Sequence, residues 1–177
     1  NCPTPVGPDY DFGASPILFT LPGGKQIVLS GQKSGIAYGM APDTGKLIWK
    51  TAVGSGSALG GVEWGMAADD KRLFVAISDV INLFMEVPGV PPVTDDKLAP
   101  GKPGLYALNP ANGKFIWSAP APKADCHYAG DRSRDYAEGA CIRAQSQAPS
   151  AMPGAVFSGT MDGWFRAYDP ATGKQLW

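Results

Sequence analysis

The stretch YGMAPDTGKLIWK, Tyr38 to Lys50, returns twice along the chain, as YALNPANGKFIWS, Tyr106 to Ser118, and as RAYDPATGKQLW, Arg166 to Trp177. The three align without gaps. In each, Pro (42, 110, 170) is followed by Gly (45, 113, 173), Lys (46, 114, 174) and Trp (49, 117, 177). An alternating strand that runs into Asp or Asn, Pro and Gly reads as a hairpin, because Gly supplies the positive φ of a tight turn. A second short strand then ends in Trp. A Trp that recurs once per unit is best explained as packing between units, where a wide ring covers the face of its neighbour.

Working outward, each hairpin is preceded by more strand-like sequence. SPILFTL and KQIVLSG (15–21, 25–31) precede the first, GVEWGMAA and RLFVAIS (61–68, 72–78) the second, RAQSQA and GAVFSGT (143–148, 154–160) the third. Four short strands, three times, predict an all-β fold, a β-propeller of four-stranded antiparallel blades. The chain, 1–177, then carries about three blades, roughly 11–57, 58–122 and 123–177. The tryptophans lie 68 and 60 residues apart (49 to 117, 117 to 177), against about 40–50 for compact blades. The excess falls in two loops, Asn82 to Gly104, rich in Pro and Gly, and CHYAGDRSRDYAEGAC, Cys126 to Cys141. Such loops carry or cover a site, or decorate the surface. Three blades cannot close a ring of about four to eight. The chain therefore reads as part of a larger ring, or as one that other chains complete. Its start at NCPTPVG, without initiator Met or signal segment, fits a piece of a longer protein.

Bulk properties narrow the function. The chain has 177 residues, 44% of them hydrophobic, and a formal net charge of −1. That balance gives no reason to expect nucleic acid or an anionic membrane as partner. No apolar run reaches the roughly 18 residues of a membrane span. Of the three cysteines, Cys126 and Cys141 bracket a polar loop. A loop-closing disulfide is preferred there over two thiols, and it would place the protein outside the reducing cytosol. Cys2 is left over, a candidate for pairing with an upstream residue. Cys126-His127 does not make a haem-attachment motif, since that needs Cys where the chain has Lys123.

Near the start, PDYDFGASPILF places Asp9 and Asp11 around Tyr10 just before an apolar run. By residue type alone these are turn and strand-entry groups, Lys33 is a solvated hairpin residue, and Trp64 is a packing residue. Asp9, after Pro8, reads as a solvated turn residue, and Asp162-Gly163 as a hairpin turn.

The three hairpins resemble the tryptophan-docking motif of the PQQ-dependent (quinoprotein) alcohol dehydrogenases, an eight-bladed propeller family in which PQQ lies near the axis beside calcium or a lanthanide. Outer-membrane assembly scaffolds share the hairpin without binding PQQ. Further stretches agree in order. PDYDFGASPIL resembles the family's Trp-Asp-Tyr segment, which puts Tyr10 on the Trp, Asp11 on the proposed catalytic base and Phe12 on the Tyr. SGQKSGIAYGM resembles the segment whose basic residue contacts the quinone oxygens, and Lys33 falls there. LGGVEWGMAADDKRLFVAIS resembles a Gly-x-x-Asn-Trp segment lying over the cofactor, with Glu63 and Trp64 on Asn-Trp. AVFSGTMDGWFRAYDPATGKQLW is similar to the penultimate blade. Within the family the chain is most similar to polyvinyl alcohol dehydrogenase-like members, through DYDFGASP, GQKSG, GGVEWG and the loop leading into AQSQA.

The resemblance implies oxidation of an alcohol, polymeric or secondary, with Asp11 as general base, Lys33, Glu63 and Trp64 at the cofactor, and PQQ and calcium as cofactors. The metal ligands would lie upstream of Asn1, with Asp11 the candidate in this chain. Gly13 stands where the lanthanide-using branch has a second Asp, which favours calcium. Glu63 stands for a neutral Asn, so it reaches the metal, pairs with Lys33 or carries a proton. Gln145 falls where relatives place an aromatic. The implied partners are a small-molecule or polymeric alcohol, cytochrome c or a similar electron acceptor, and the remainder of the propeller, in the periplasm or secreted. The 177 residues alone would be inactive. The competing reading is a non-catalytic propeller that acts as a protein-binding scaffold.

Overall fold

A computed structural model of the chain describes residues 9–56, 59–79, 102–122 and 143–177. Cys2, Cys126, His127, Cys141 and most of the two long loops lie outside the described residues, and so does the expected Cys126–Cys141 disulfide. No helix occurs among the described residues.

Three antiparallel sheets follow one another in chain order. The first holds β1 (Ile17–Thr20), β2 (Gln26–Gly31), β3 (Ile36–Met40) and β4 (Leu47–Ala52). The second holds β5 (Met66–Ala68), β6 (Leu73–Ile77), β7 (Gly104–Leu108) and β8 (Phe115–Pro120). In both, neighbours in sequence are neighbours in the sheet. The third holds β9 (Ser150–Met152), β10 (Ala155–Gly159) and β11 (Phe165–Tyr168). The up-and-down meander repeated in this way is a partial propeller.

Two strand expectations need correction. RAQSQA is not a strand, and the strand over 61–68 is confined to β5. In both places the backbone is engaged elsewhere. Val62 N–H donates to the Gln32 carbonyl of the first sheet (3.1 Å), and Gln145 N–H to the Ile77 carbonyl of the second (3.3 Å). These bonds tie each crossover to the preceding blade, so the innermost strand starts only after them. The fourth strand of the third unit is also reduced, to one bridge between Tyr168 and Gln175, continued by bonds between Ala167 and Leu176 and Trp177.

The repeated turn closes identically three times. Gly45, Gly113 and Gly173 N–H donate to the carbonyls of Ala41, Asn109 and Asp169, at 2.8–2.9 Å. Their φ angles are +66°, +69° and +72°. The Trp of the first and of the second unit docks on the turn of the next. Trp49 Nε1–H donates to the Pro110 carbonyl and Trp117 Nε1–H to the Pro170 carbonyl, both at 2.8 Å. A Cβ on Gly113 would collide with the Trp49 ring, and one on Gly173 would lie 2.5 Å from Trp117 Cε3. The glycines therefore provide both the left-handed backbone and the flat seat for an indole.

Two cores result, one on each side of the second sheet. Leu73, Val75, Ile77, Tyr106 and Leu108 face Ile27, Leu29, Ala37 and Trp49 of the first sheet. Phe74, Ala76, Leu105 and Ala107 cluster with Trp117 and with Val156 and Tyr168 of the third. Burial on both faces explains why β6 and β7 are apolar at almost every position rather than alternating.

Gly113→Ala should therefore lose more stability than a surface glycine. Forcing φ to stay positive costs about 1–2 kcal/mol, and the collision with Trp49 adds about 1–3 kcal/mol. Gly154→Ala, at φ +88° with nothing within 4 Å, should lose only the backbone share. Urea midpoints of the two variants test the difference.

Candidate functional site

One rim of the sheets is built from the crossover entering each blade and the turn between its second and third strands. One backbone bond recurs there. Lys33 N–H donates to the Asp11 carbonyl (3.0 Å), Ser78 N–H to Gly61 (2.9 Å) and Met161 N–H to Ala144 (2.9 Å). Asp11, Gly61 and Ala144 thus occupy equivalent positions, as do Lys33, Ser78 and Met161. The frame repeats, yet only the first blade carries an acid and a base on it.

Those side chains converge. Lys33 Nζ lies 3.3 Å from Asp9 Oδ2, 3.4 Å from Asp11 Oδ1 and 3.8 Å from Glu63 Oε1. Asp11 and Lys33 come from the first blade, and Glu63 from the crossover into the second. Asp9 is exposed as a turn residue should be, but its carboxylate accepts a hydrogen bond from Lys33, which sequence reasoning missed. The available signal was its spacing of two from Asp11.

Glu63 is only 7% exposed, and its Oε2 has no hydrogen-bond partner. Its backbone carbonyl closes over Gly13, where an added Cβ would sit 2.7 Å away. A larger residue at 13 thus requires the crossover to shift. Trp64 projects outward, 66% exposed. Phe12 is half exposed and leans on Tyr38, ring centroids 5.6 Å apart. Tyr38 and Ser34 hydroxyls both donate to Gln32 Oε1, at 3.1 and 2.6 Å. Gln145 is not part of this rim surface. It is fully buried, accepting from Ser158 Oγ at 2.5 Å. Asp162, read from sequence as a turn residue, is buried too and pairs with Arg166 at 2.9 Å.

The electrostatics are unbalanced, with three carboxyls around one ammonium. Burial pushes Glu63 above the ordinary glutamate value. The Lys33 charge opposes that shift, and Asp11 and Asp9 add to it. Burial alone would pull Lys33 down, but Asp9, Glu63 and Asp11 outweigh it and hold the amine above its usual value. Lys33 is thus a fixed cation able to face an anionic oxygen. Asp11 is an exposed carboxylate able to accept a proton, and Trp64 is a free flat ring able to stack. Among the described residues no group of three or more His, Cys, Asp or Glu could hold a metal ion.

Comparison with known proteins agrees with this architecture. The family model described as "Outer membrane protein assembly factor BamB" matches residues 32–177. Over its whole length the chain is 47% identical to a polyvinylalcohol dehydrogenase of a Pseudomonas species and 41% identical to that of Sphingopyxis sp. (strain 113P3). It spans 24% of the length of each. Among solved structures it resembles the quinohemoprotein alcohol dehydrogenase ADHIIG from Pseudomonas putida HK5, with a TM-score of 0.61 and 18% identity. That match covers 97% of this chain and 21% of the other, and it is a likeness of fold.

Because the folded-state pKa of Glu63 is raised, its stabilising contribution is full below the ordinary value of 4.5 and is lost as pH rises through the folded value. Glu63→Gln should therefore gain stability relative to wild type as pH increases from 4 to 8. Urea midpoints across that range give the check, and parallel curves would refute the raised pKa.

Proposed function

The chain belongs to the quinoprotein-type β-propeller family, and from that membership we propose that it is part of a PQQ-dependent dehydrogenase oxidising an alcohol, polymeric or secondary, to a carbonyl. The observation that supports this most is the gathering of Asp11, Lys33 and Glu63 on a repeated frame whose other blades carry none of these groups at the positions of Asp11 and Lys33. A scaffold surface has no need of such a cluster.

The residues present suit the cofactor. PQQ would be held by the Lys33 ammonium, by the exposed Trp64 ring and by the neighbourhood of Glu63. Burial raises the Glu63 pKa and one of its oxygens is orphaned, which eases its protonation beside an anionic ligand. When bound, the quinone supplies the two-electron oxidant. Asp11 leans one oxygen, Oδ1, on Lys33, which leaves Oδ2 to accept the substrate hydroxyl proton. A carboxylate is a weak base, so its value lies in being positioned against that proton. Lys33 stabilises negative charge on an oxygen facing it, and its three carboxyl neighbours keep it protonated. Calcium is the proposed metal, with Asp11 its candidate contact in this chain and the remaining ligands elsewhere in the protein.

The ring is completed by the rest of the longer protein, to eight blades by the resemblance, with blades near 11–57, 58–122 and 123–177. Electrons would leave to cytochrome c or a similar acceptor, in the periplasm or outside the cell. Among the described residues no helix is long and apolar enough to cross a membrane. The second reading, a protein-binding scaffold, is favoured by the description of the matching family model.

The test is addition of PQQ and calcium to the full-length protein. Binding should change the absorbance, and polymeric or secondary alcohols should then reduce an artificial dye. No absorbance change and no dye reduction would leave the scaffold. Asp11→Asn should lower turnover by about 10²–10⁴-fold and spare PQQ binding; an unchanged rate removes Asp11 as the base.

A further inference from the structure

Asp79 follows β6 on the same rim but touches none of the site side chains. It is 5% exposed, has no cationic partner among the described residues, and holds φ at +43°. Among the described residues its carboxylate instead accepts four backbone N–H groups. Oδ1 takes those of Gly56 (3.1 Å) and Gly61 (3.0 Å), and Oδ2 those of Ser55 (2.7 Å) and Lys102 (2.8 Å). Three of the four lie on the crossover between the first and second blades, the segment that leads into Glu63.

The crossover is pressed between this carboxylate and the Lys33 turn. A Cβ on Gly54 would lie 2.6 Å from Asp79 Oδ1. A Cβ on Gly56 would lie 2.6 Å from Ser34 backbone, and one on Gly61 would collide with the Lys33 carbonyl. Two residues beyond Gly61 stands Glu63, and between them Val62 N–H bonds Gln32. Asp79 therefore sets, through backbone alone, how close the Glu63 crossover lies to Lys33.

We infer that Asp79 is a positioning residue for the Lys33–Glu63 pair, the group that clamps the second blade's crossover onto the first blade's basic turn. Its bearing on turnover rests on the oxidoreductase reading; its bearing on Lys33 does not. Asn in its place offers one oxygen and one NH2, so in either orientation two N–H groups face a donor. Ser, which the first blade carries at the equivalent position as Ser34, reaches fewer of them.

The experiment is amine acylation of the full-length protein, followed by mass spectrometry, in wild type, Asp79→Asn, Asp79→Ser and Asp169→Asn. Lys46, Lys71 and Lys114 serve as internal references. Asp169 is the control, since it also accepts backbone N–H groups, from Ala171 and Thr172, but on another turn. In both Asp79 variants Lys33 acylation should rise about tenfold against the references, the ratio given by roughly 1.4 kcal/mol of easier local opening. Asp169→Asn should leave Lys33 as in wild type. If the protein is an active dehydrogenase, turnover of the folded Asp79 variants should fall as well. Unchanged Lys33 acylation in a folded Asp79 variant overturns the inference. So does an equal rise at all lysines, or failure of both variants to fold, which would make Asp79 a residue of the fold alone. Loss of the dehydrogenase reading, seen as inactivity of wild type, leaves the acylation result standing.

Discussion

The contact on which the rest depends is an indole laid on a glycine turn, its N–H donated to a proline carbonyl. Made by Trp49 on the second blade and by Trp117 on the third, it joins sheets that cannot stand singly. A four-stranded sheet with two apolar faces must cover both. The second sheet does so, and its middle strands are buried throughout. Among the described residues each flanking sheet is covered by its neighbour on one side only. Trp177, the third member of the series, is 72% exposed, its ring edge-on to Phe165 at 6.4 Å, and among the described residues no turn lies beneath it.

The rim inherits its precision from the same stacking. Once blades are docked, each crossover must pass the turn of the blade before it, and backbone bonds fix that passage at Gln32–Val62 and Ile77–Gln145. Side chains on the two sides then meet irrespective of their distance in sequence. Lys33 and Glu63 come together in this way, and glycine at 13, 35, 54, 56 and 61 lets the backbones approach closely enough. The cost of this closeness is a carboxyl with one unsatisfied oxygen beside two further acids, a local conflict of the kind that proteins retain at functional sites.

Much of this was legible in the residue order. The repeated Pro, Gly, Lys and Trp determined the hairpins, the strand count of the first two units and the docking role of the indole, because turn chemistry and ring packing are local or periodic demands. Asp11, Lys33, Glu63 and Trp64 were singled out by resemblance rather than by any local rule. What sequence could not determine were the pairings made across blades. RAQSQA has strand-like residues but its backbone is bound to the preceding blade. Asp9 looks like a turn residue and reaches Lys33. Gln145, which falls where relatives place an aromatic, is buried against Ser158. Asp79 shows no motif at all, and its four backbone partners among the described residues lie 18 to 24 residues away in sequence. Periodicity fixes which residues face a neighbouring sheet, whereas the depth at which two crossovers pass each other depends on how the blades stack, and that is settled only once the tryptophans are seated.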